Sequence, residues 1–321
     1  MISVIVPCYN EEKSIRNFHK AISEVMKNQA PYELVFVDDG SRDDTLKLLK
    51  EISYKDDAVH YISFSRNFGK EAAMLAGLKF AAGDAVIIMD ADLQHPPSLI
   101  PEMIRHYYDG YDQVIAKRNR KGDALFRTAV SKLYYRLMNK MVDVELVDGV
   151  GDFRLLSRRA VDALLALNEY NRFSKGLFSW IGFEEYVIEY ENVAREEGTS
   201  KWSLPKLINY GIDGIISFNN KPLRLSIYFG LVITFLDILY ILFIFFRILL
   251  YGIEVPGYFT IIASIMLLGG IQLVFLGVIG EYIGRIYYES KRRPHFIIKN
   301  TNIGITDQDL HTNRIGQKSK V

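Results

Sequence analysis

The sequence predicts an α/β domain with a mostly parallel sheet, followed by an amphipathic segment and two C-terminal membrane helices. Three observations predict it: short β-branched runs alternating with amphipathic stretches through the first half, an apolar stripe over 204–216, and two long apolar segments that begin near Arg224. Strands separated by helices run parallel, and ligands of such open sheets bind beyond the carboxyl ends of the strands. Residues that carry chemistry are therefore expected just after strands.

In chain order, the strands are read at 2–6, 33–37, 59–64, 85–89 and 113–116, and the helices at 11–27, 43–53, 70–82 and 98–108, where apolar residues recur at helical spacing. The stripe of Leu204, Leu207, Ile208, Ile212, Ile215 and Ile216 fits an interfacial helix on a bilayer; a helix packed on the first domain has the same periodicity. Segments 225–250 and 258–283 each exceed the ~30 Å hydrocarbon thickness at ~1.5 Å rise per residue. Helices of a soluble core are the alternative, and their length argues against it. Lys221 and Arg224 precede the first segment, Arg285, Lys291, Arg292 and Arg293 follow the second, and the link 251–257 has no Lys or Arg. The positive-inside rule then puts both chain ends in the cytosol. The expected organisation is a cytosolic domain over 1–200, a juxtamembrane segment over 201–223, the membrane pair within 224–285 and a cytosolic tail over 286–321, weakly ordered after Pro294 because it is polar.

Composition narrows the function classes. Lys plus Arg, 39, nearly equals Asp plus Glu, 38, for a net charge of +1, so bulk charge gives no reason to expect a nucleic-acid partner. The single cysteine, Cys8, excludes an intrachain disulfide and fits a reducing compartment. The first residues lack a basic n-region and read as a strand rather than a signal peptide.

The strand at 85–89 discharges Asp90-Ala91-Asp92-Leu93-Gln94. Two carboxylates one residue apart at a strand end can share a hard divalent cation, although a solvated acidic turn has the same composition. A second acidic turn, Asp38-Asp39-Gly40-Ser41, leaves another strand, and Pro7-Cys8-Tyr9-Asn10-Glu11 leaves the first. Three neighbouring strand ends with polar residues outline a nucleotide-sized cleft. In it Asp38 can accept from a base or ribose, Tyr9 can flank the base and Lys70 can reach phosphate; Asp39-Gly40 is also an ordinary turn, and Asn10 and Ser41 are also ordinary helix caps.

Val-Pro-x-Tyr-Asn-Glu, Val-Asp-Asp-Gly-Ser-x-Asp and Met-Asp-Ala-Asp-Leu-Gln, in this order, resemble family 2 inverting glycosyltransferases with the GT-A, Rossmann-like fold. Within that family the pattern is most similar to the polyprenyl-phosphate (bactoprenol) glycosyltransferases, the group of dolichol-phosphate mannose synthase and the bacterial GtrB and CsbB branch. The match runs over about 1–294 and includes Ser65-Arg66-Asn67-Phe68-Gly69-Lys70, Gly151-Asp152-Phe153-Arg154-Leu155 and Gly198-Thr199-Ser200-Lys201-Trp202. The resemblance implies that Pro7, Tyr9, Glu11, Asp38, Lys70 and Asp90 surround the nucleotide sugar, that Asp90, Asp92 and Gln94 surround Mg2+ or Mn2+, and that Asp152 is the acidic residue near the acceptor. It also implies that Arg118, Arg127 and Arg195 hold the acceptor phosphate, with Lys201 and Ser131 as further candidates; an arginine can fork two phosphate oxygens.

The activity so implied is inverting transfer from a UDP-sugar, glucose or N-acetylglucosamine, to undecaprenyl phosphate on the cytosolic face of a bacterial cell membrane, for modification of cell-envelope glycans. Resemblance to the CsbB branch tilts the sugar to N-acetylglucosamine. Implied partners are the UDP-sugar donor, the polyprenyl phosphate acceptor, the bilayer, a flippase, a downstream membrane glycosyltransferase and further copies of the chain, with no nucleic acid. Two rivals remain: a processive polysaccharide synthase, which usually carries a Gln-x-x-Arg-Trp motif and more membrane helices, and a non-catalytic membrane component. His95 before Pro96-Pro97 reads as a helix start, Trp180 and Trp202 as stacking or interface residues, and Asp237 inside the first membrane segment as a functional or helix-contact residue.

Overall fold

The computed structural model describes residues 1–119, 147–191, 221–252 and 257–304, together with Arg136 and Asn139. The sequence candidates Arg127, Ser131, Arg195, Lys201 and Trp202, and the stripe over 204–216, lie outside the described residues, as does the side chain of Asp237.

Among the described residues, eight strands form one sheet in the order β7-β5-β6-β4-β1-β2-β3-β8. Its centre is parallel: β4 (Ala85–Ile88), β1 (Ile2–Cys8), β2 (Tyr32–Asp38) and β3 (Val59–Phe64). The sequence places these four within two residues at every boundary, because strands buried on both faces read as continuous Val, Ile and Phe runs. Helices α1 (Ile15–Met26), α2 (Thr45–Ser53), α3 (Lys70–Phe80) and α4 (Ile100–Tyr108, after a 3-10 turn at Pro97–Leu99) cover the two faces. One core lies under α1 and α4, around Phe18, Phe36 and Phe153; the other lies under α3, around Ile5, Val35, Ile62 and Phe64.

The sheet departs from a simple parallel succession at both sides. β5 (Gln113–Arg118) does not pair with β4; β6 (Val150–Ser157) inserts between them, antiparallel to both, and β7 (Glu185–Tyr190) pairs parallel with β5 at the edge. Helices α5 (Arg158–Ala166) and α6 (Ser174–Trp180) follow β6, with the Ser157 hydroxyl accepting from the Ala160 amide to cap α5. At the opposite edge β8 (Ile298–Thr301) pairs antiparallel with β3. The expectation of weak order after Pro294 therefore fails for residues up to 304. Phe296, 7% exposed, stacks on Phe64, and the asparagines that make the tail look soluble bond the outer edge of β3. Polarity in this tail serves an edge strand rather than solvent.

The apolar segments form α7 (Lys221–Tyr251) and α8 (Tyr258–Lys291), both long and apolar enough to cross a membrane. Large side chains along them are exposed, among them Leu250 and Met266 at 73% each, which suits helices whose surroundings are hydrocarbon. α8 runs past the expected end at 283, and its last turn docks on the sheet domain. The Glu289 carboxylate accepts from the Tyr170 amide at 2.7 Å, and the Tyr288 ring stacks on Tyr170 at 5.8 Å.

Packing of α3 on β1 depends on one small residue. A Cβ at Gly77 would overlap the Ile5 side chain. Gly77→Ala is expected to destabilise the sheet domain by about 1–3 kcal/mol through overpacking, read as a lowered thermal unfolding midpoint of the detergent-solubilised chain.

Candidate active site

Four strand ends and one inserted strand build the site. β1 and β2 run in register to their last residues, with Cys8 opposite Asp38, so the turns that follow them emerge side by side. The turns are laced together: the Asn10 amide donates to the Ser41 hydroxyl at 2.9 Å and the Arg42 amide to Asn10 Oδ1 at 2.9 Å. Asn10 adopts a left-handed φ of 56°, tolerable for an asparagine whose side chain bonds locally. Pro7 is buried at the end of β1, Tyr9 and Glu11 are half-buried in the turn, and Glu11 accepts from the Ser14 hydroxyl at 2.8 Å.

The two carboxylates of the second turn do different work. Asp38, 1% exposed, accepts from the Ser41 amide at 2.9 Å and the Ser63 hydroxyl at 2.7 Å, which ties the end of β2 to β3. Asp39 accepts from the Phe68 and Gly69 amides at 2.6 and 2.9 Å. It thereby fixes the loop that ends in Lys70; burial raises its pKa, and those two bonds offset part of the rise. The sequence reading treated Asp39 as part of a turn. Only the approach of the 65–69 loop shows its second role.

The centre of the site follows from register. β4 and β6 pair antiparallel with Ile88 opposite Arg154, so continuing by two residues sets Asp90 opposite Asp152. Two carboxylates facing each other on adjacent strands repel unless a cation intervenes. Lys70, the first residue of α3, supplies it: its ammonium lies 2.6 Å from Asp90 and 2.7 Å from Asp152. Burial by itself would lower the Lys70 pKa, but the two carboxylates outweigh it and hold the ammonium well above the usual lysine range. Burial by itself would raise Asp152; Lys70 and Lys175 overcome it and keep the carboxyl at about 2. Beside them burial draws Arg154 down to about 10, with its guanidinium 3.7 Å over the Phe178 ring and donating to the Gly151 carbonyl.

Asp92 and Gln94 form a tight turn after Asp90. Asp92 accepts from the Gln94 backbone amide at 3.2 Å and from its side-chain amide at 2.6 Å, while Leu93 between them takes a left-handed φ of 55°. His95 stacks on Phe153 at 4.9 Å, and burial lowers its pKa, so the imidazole is a neutral wall of the site. Among the described residues no group of three or more His, Cys, Asp or Glu is placed to enclose a metal. Asp90 and Asp92 carry hard oxygens, the donor chemistry that suits a divalent cation completed by phosphate oxygens and water.

Of the acceptor-side candidates, Arg118 is described. It ends β5, its amide donates to the Gly149 carbonyl at 3.0 Å, and it pairs in register with Tyr190 at the end of β7. Burial raises the Tyr190 pKa; Arg118 opposes the rise, and Asp90 and Asp92 add to it. Tyr190 and Lys175 escaped the sequence reading, since nothing local marks β7 or α6 as neighbours of Asp90 and Asp152.

Comparison with known proteins gives this geometry its family. The model described as glycosyl transferase family 2 matches residues 3–165. The Bacillus subtilis (strain 168) protein CsbB, a glycosyltransferase by name, is 58% identical over 304 residues, which cover 94% of this chain and 92% of the relative. The chain belongs to glycosyl transferase family 2. A second model, the GtrB C-terminal hairpin, matches residues 221–286 of the transferase, the region of α7 and α8. The bactoprenol glucosyl transferase of Shigella phage SfV is 44% identical over 302 residues, covering 93% of this chain and 98% of that one. Glucosyl-3-phosphoglycerate synthase from Mycobacterium tuberculosis, solved with Mn2+, UDP-glucose and phosphoglyceric acid, aligns at a TM-score of 0.45 and 21% identity, over 67% of this chain and 77% of that one. Membership of the family, together with the mostly parallel sheet, bears out the GT-A domain that the motifs predicted.

Glu71, next to Lys70, gives a pH signature. It accepts from the Ser174 amide and hydroxyl; burial pushes it up to about 7, and the nearby Asp152 charge adds to the rise. A carboxyl raised in the folded state favours folding below its unfolded value, ~4.3, and that contribution is lost as pH climbs through about 7. Wild-type thermal stability should accordingly fall relative to Glu71→Gln between pH 5 and 8 in differential scanning fluorimetry, the two curves converging at the acid end.

Proposed function

We propose that the transferase moves a hexose from a UDP-sugar to a polyprenyl phosphate at a membrane surface, with inversion at the anomeric carbon. The observation that carries the reading is the convergence of Asp90 and Asp152 on Lys70, which brings a donor-side carboxylate and an acceptor-side carboxylate each within ion-pair distance of one ammonium, 2.6 and 2.7 Å. Relatives named bactoprenol glucosyl transferase, at 44% and 43% identity over more than nine-tenths of the chain, support the acceptor class and make glucose the first sugar to test and N-acetylglucosamine the second.

In this reading the turns after β1 and β2 cradle the nucleoside, with Pro7, Tyr9, Glu11 and Asp38 shaping the cradle. Asp90 and Asp92 hold Mg2+ or Mn2+, and Gln94 braces Asp92 through its amide. When bound, the cation neutralises negative charge on the departing diphosphate. Lys70 turns from Asp90 to the donor phosphates, exchanging one anion for another. A lipid phosphate oxygen then forms the bond to the anomeric carbon as the bond to UDP breaks and UDP leaves with the electron pair; an α-linked donor gives a β-linked product. The second pKa of a phosphate monoester is ~6, so the nucleophile is already ionised at neutral pH and Asp152, itself ionised, orients it against Arg118. Arg127, Ser131, Arg195 and Lys201 complete the acceptor site in this proposal. α7 and α8 cross the bilayer as a pair. β8 follows them yet joins the sheet that precedes them, so both ends of the pair share one face, and the flanking cations make that face cytosolic.

Full-length enzyme in membranes, incubated with labelled UDP-glucose or UDP-N-acetylglucosamine, undecaprenyl phosphate and Mg2+, should give a labelled lipid. Asp92→Ala should lower its formation by about 100-fold or more, as loss of a charge-stabilising group does; equal product from both enzymes would overturn the mechanism. Asp152→Asn should cut kcat at least about tenfold while leaving the acid limb of the pH–rate profile near ~6, where the acceptor phosphate ionises. Displacement of that limb by the substitution would mark Asp152 as the base instead.

A further inference from the structure

We propose that Phe296, on the segment that follows the membrane hairpin, is a positioning residue for Lys70, so that the hairpin and the donor site act as one mechanical unit. This rests on the reading of Lys70 as the donor-phosphate cation.

The path is short and apolar. Phe296 is 7% exposed and stacks nearly parallel on Phe64, the last residue of β3, with ring centroids 5.0 Å apart and planes inclined by 10°. Phe64 in turn takes the edge of Phe68 at 5.8 Å. Phe68 precedes Gly69, whose φ of 101° turns the chain into α3, and Lys70 is the first residue of that helix. At the start of the same loop the Ser65 amide donates to the Ile297 carbonyl at 2.9 Å. The 65–69 loop is therefore clamped from two directions. Asp39 holds its far end through the Phe68 and Gly69 amides, Gly40 packs so closely that a Cβ there would overlap the Arg66 backbone, and the tail holds its near end.

The tail is well placed to be a fixed support. Beyond Phe296, Asn300 accepts from the Tyr61 hydroxyl at 2.6 Å and Asn302 accepts from the Tyr61 amide at 2.8 Å, while the Thr301 hydroxyl donates to the Tyr61 carbonyl at 2.7 Å. Before it, His295 stacks on Tyr170, the residue that also receives Tyr288 and Glu289 from the end of α8. Water can replace the hydrogen bonds of an edge strand; it cannot replace the ring stack under the Lys70 loop. Placement matters at this level, since a shift of about 1 Å in a group that positions substrate can cost about 100-fold in rate.

A double-mutant cycle on the full-length enzyme in detergent or lipid nanodiscs tests the proposal, reading kcat, donor KM and acceptor KM for wild type, Phe296→Ala, Lys70→Ala and the double variant. Phe296→Ala should lower kcat/KM for the donor by about 10-fold or more with acceptor KM within about twofold of wild type, Phe296→Tyr should restore most of the loss, and in the Lys70→Ala background Phe296→Ala should change donor kcat/KM by less than about twofold. Met26→Ala, a cavity in the other core, controls for destabilisation alone and should leave donor kcat/KM unchanged. If Phe296→Ala does not accumulate as folded protein, Phe296→Leu replaces it in the same cycle. Full multiplication of the two single losses, or an equal donor defect in Met26→Ala, overturns the positioning role while leaving Lys70 in place. Wild-type donor kinetics in Lys70→Ala overturn the reading of Lys70 itself, and the inference with it.

Discussion

The site depends on one ion triad. Asp90 and Asp152 are brought opposite each other by the antiparallel pairing of β4 with β6, and their repulsion is offset by the single ammonium of Lys70 between them. The triad is partly open to solvent, with Lys70 the most exposed of the three; in the proposed reading a diphosphate with its metal would bring both a positive charge for the carboxylates and a new anion for Lys70. The arrangement is only partly shielded from solvent, so its geometry rests on the segments that carry the three residues. It is maintained by packing on every side: Asp39 behind the Lys70 loop, Phe153 and His95 beside Asp152, and Arg154 over Phe178 beneath it.

The same geometry fits the proposed use of a GT-A domain on a membrane-borne acceptor. The central parallel strands carry the residues assigned to the donor in the proposed reading, while the strands added on the β6 side carry Asp152, Arg118 and Tyr190, which that reading gives to the other reactant. On the far edge, β8 returns from the helical hairpin and closes β3. On the proposed reading the sheet thus has donor residues at its centre and acceptor residues on one flank, with the strand that follows the hairpin on the other. An anchor built into the sheet restricts how the domain can tilt relative to α8, which a flexible linker would leave free.

Much of this was legible in the sequence because it is local. Buried parallel strands announce themselves as apolar runs, strand ends as Asp-Asp-Gly-Ser or Asp-Ala-Asp, and long apolar helices by length; these determined the fold class, the candidate turns at the strand ends and the two long helices. What the tertiary structure decided is long-range. No local pattern shows that β6 runs backward between β4 and β5, yet that single reversal makes Asp152 the partner of Asp90. Polarity in the segment after Pro294 reads as a solvated tail, because side-chain composition cannot distinguish an asparagine bonded to water from one bonded to the edge of β3. The sequence by itself determined the fold class and which residues are candidates for the chemistry, since charge and spacing are written in it. Only the tertiary structure decided which of them meet, since register and strand order are settled by packing between residues far apart along the chain.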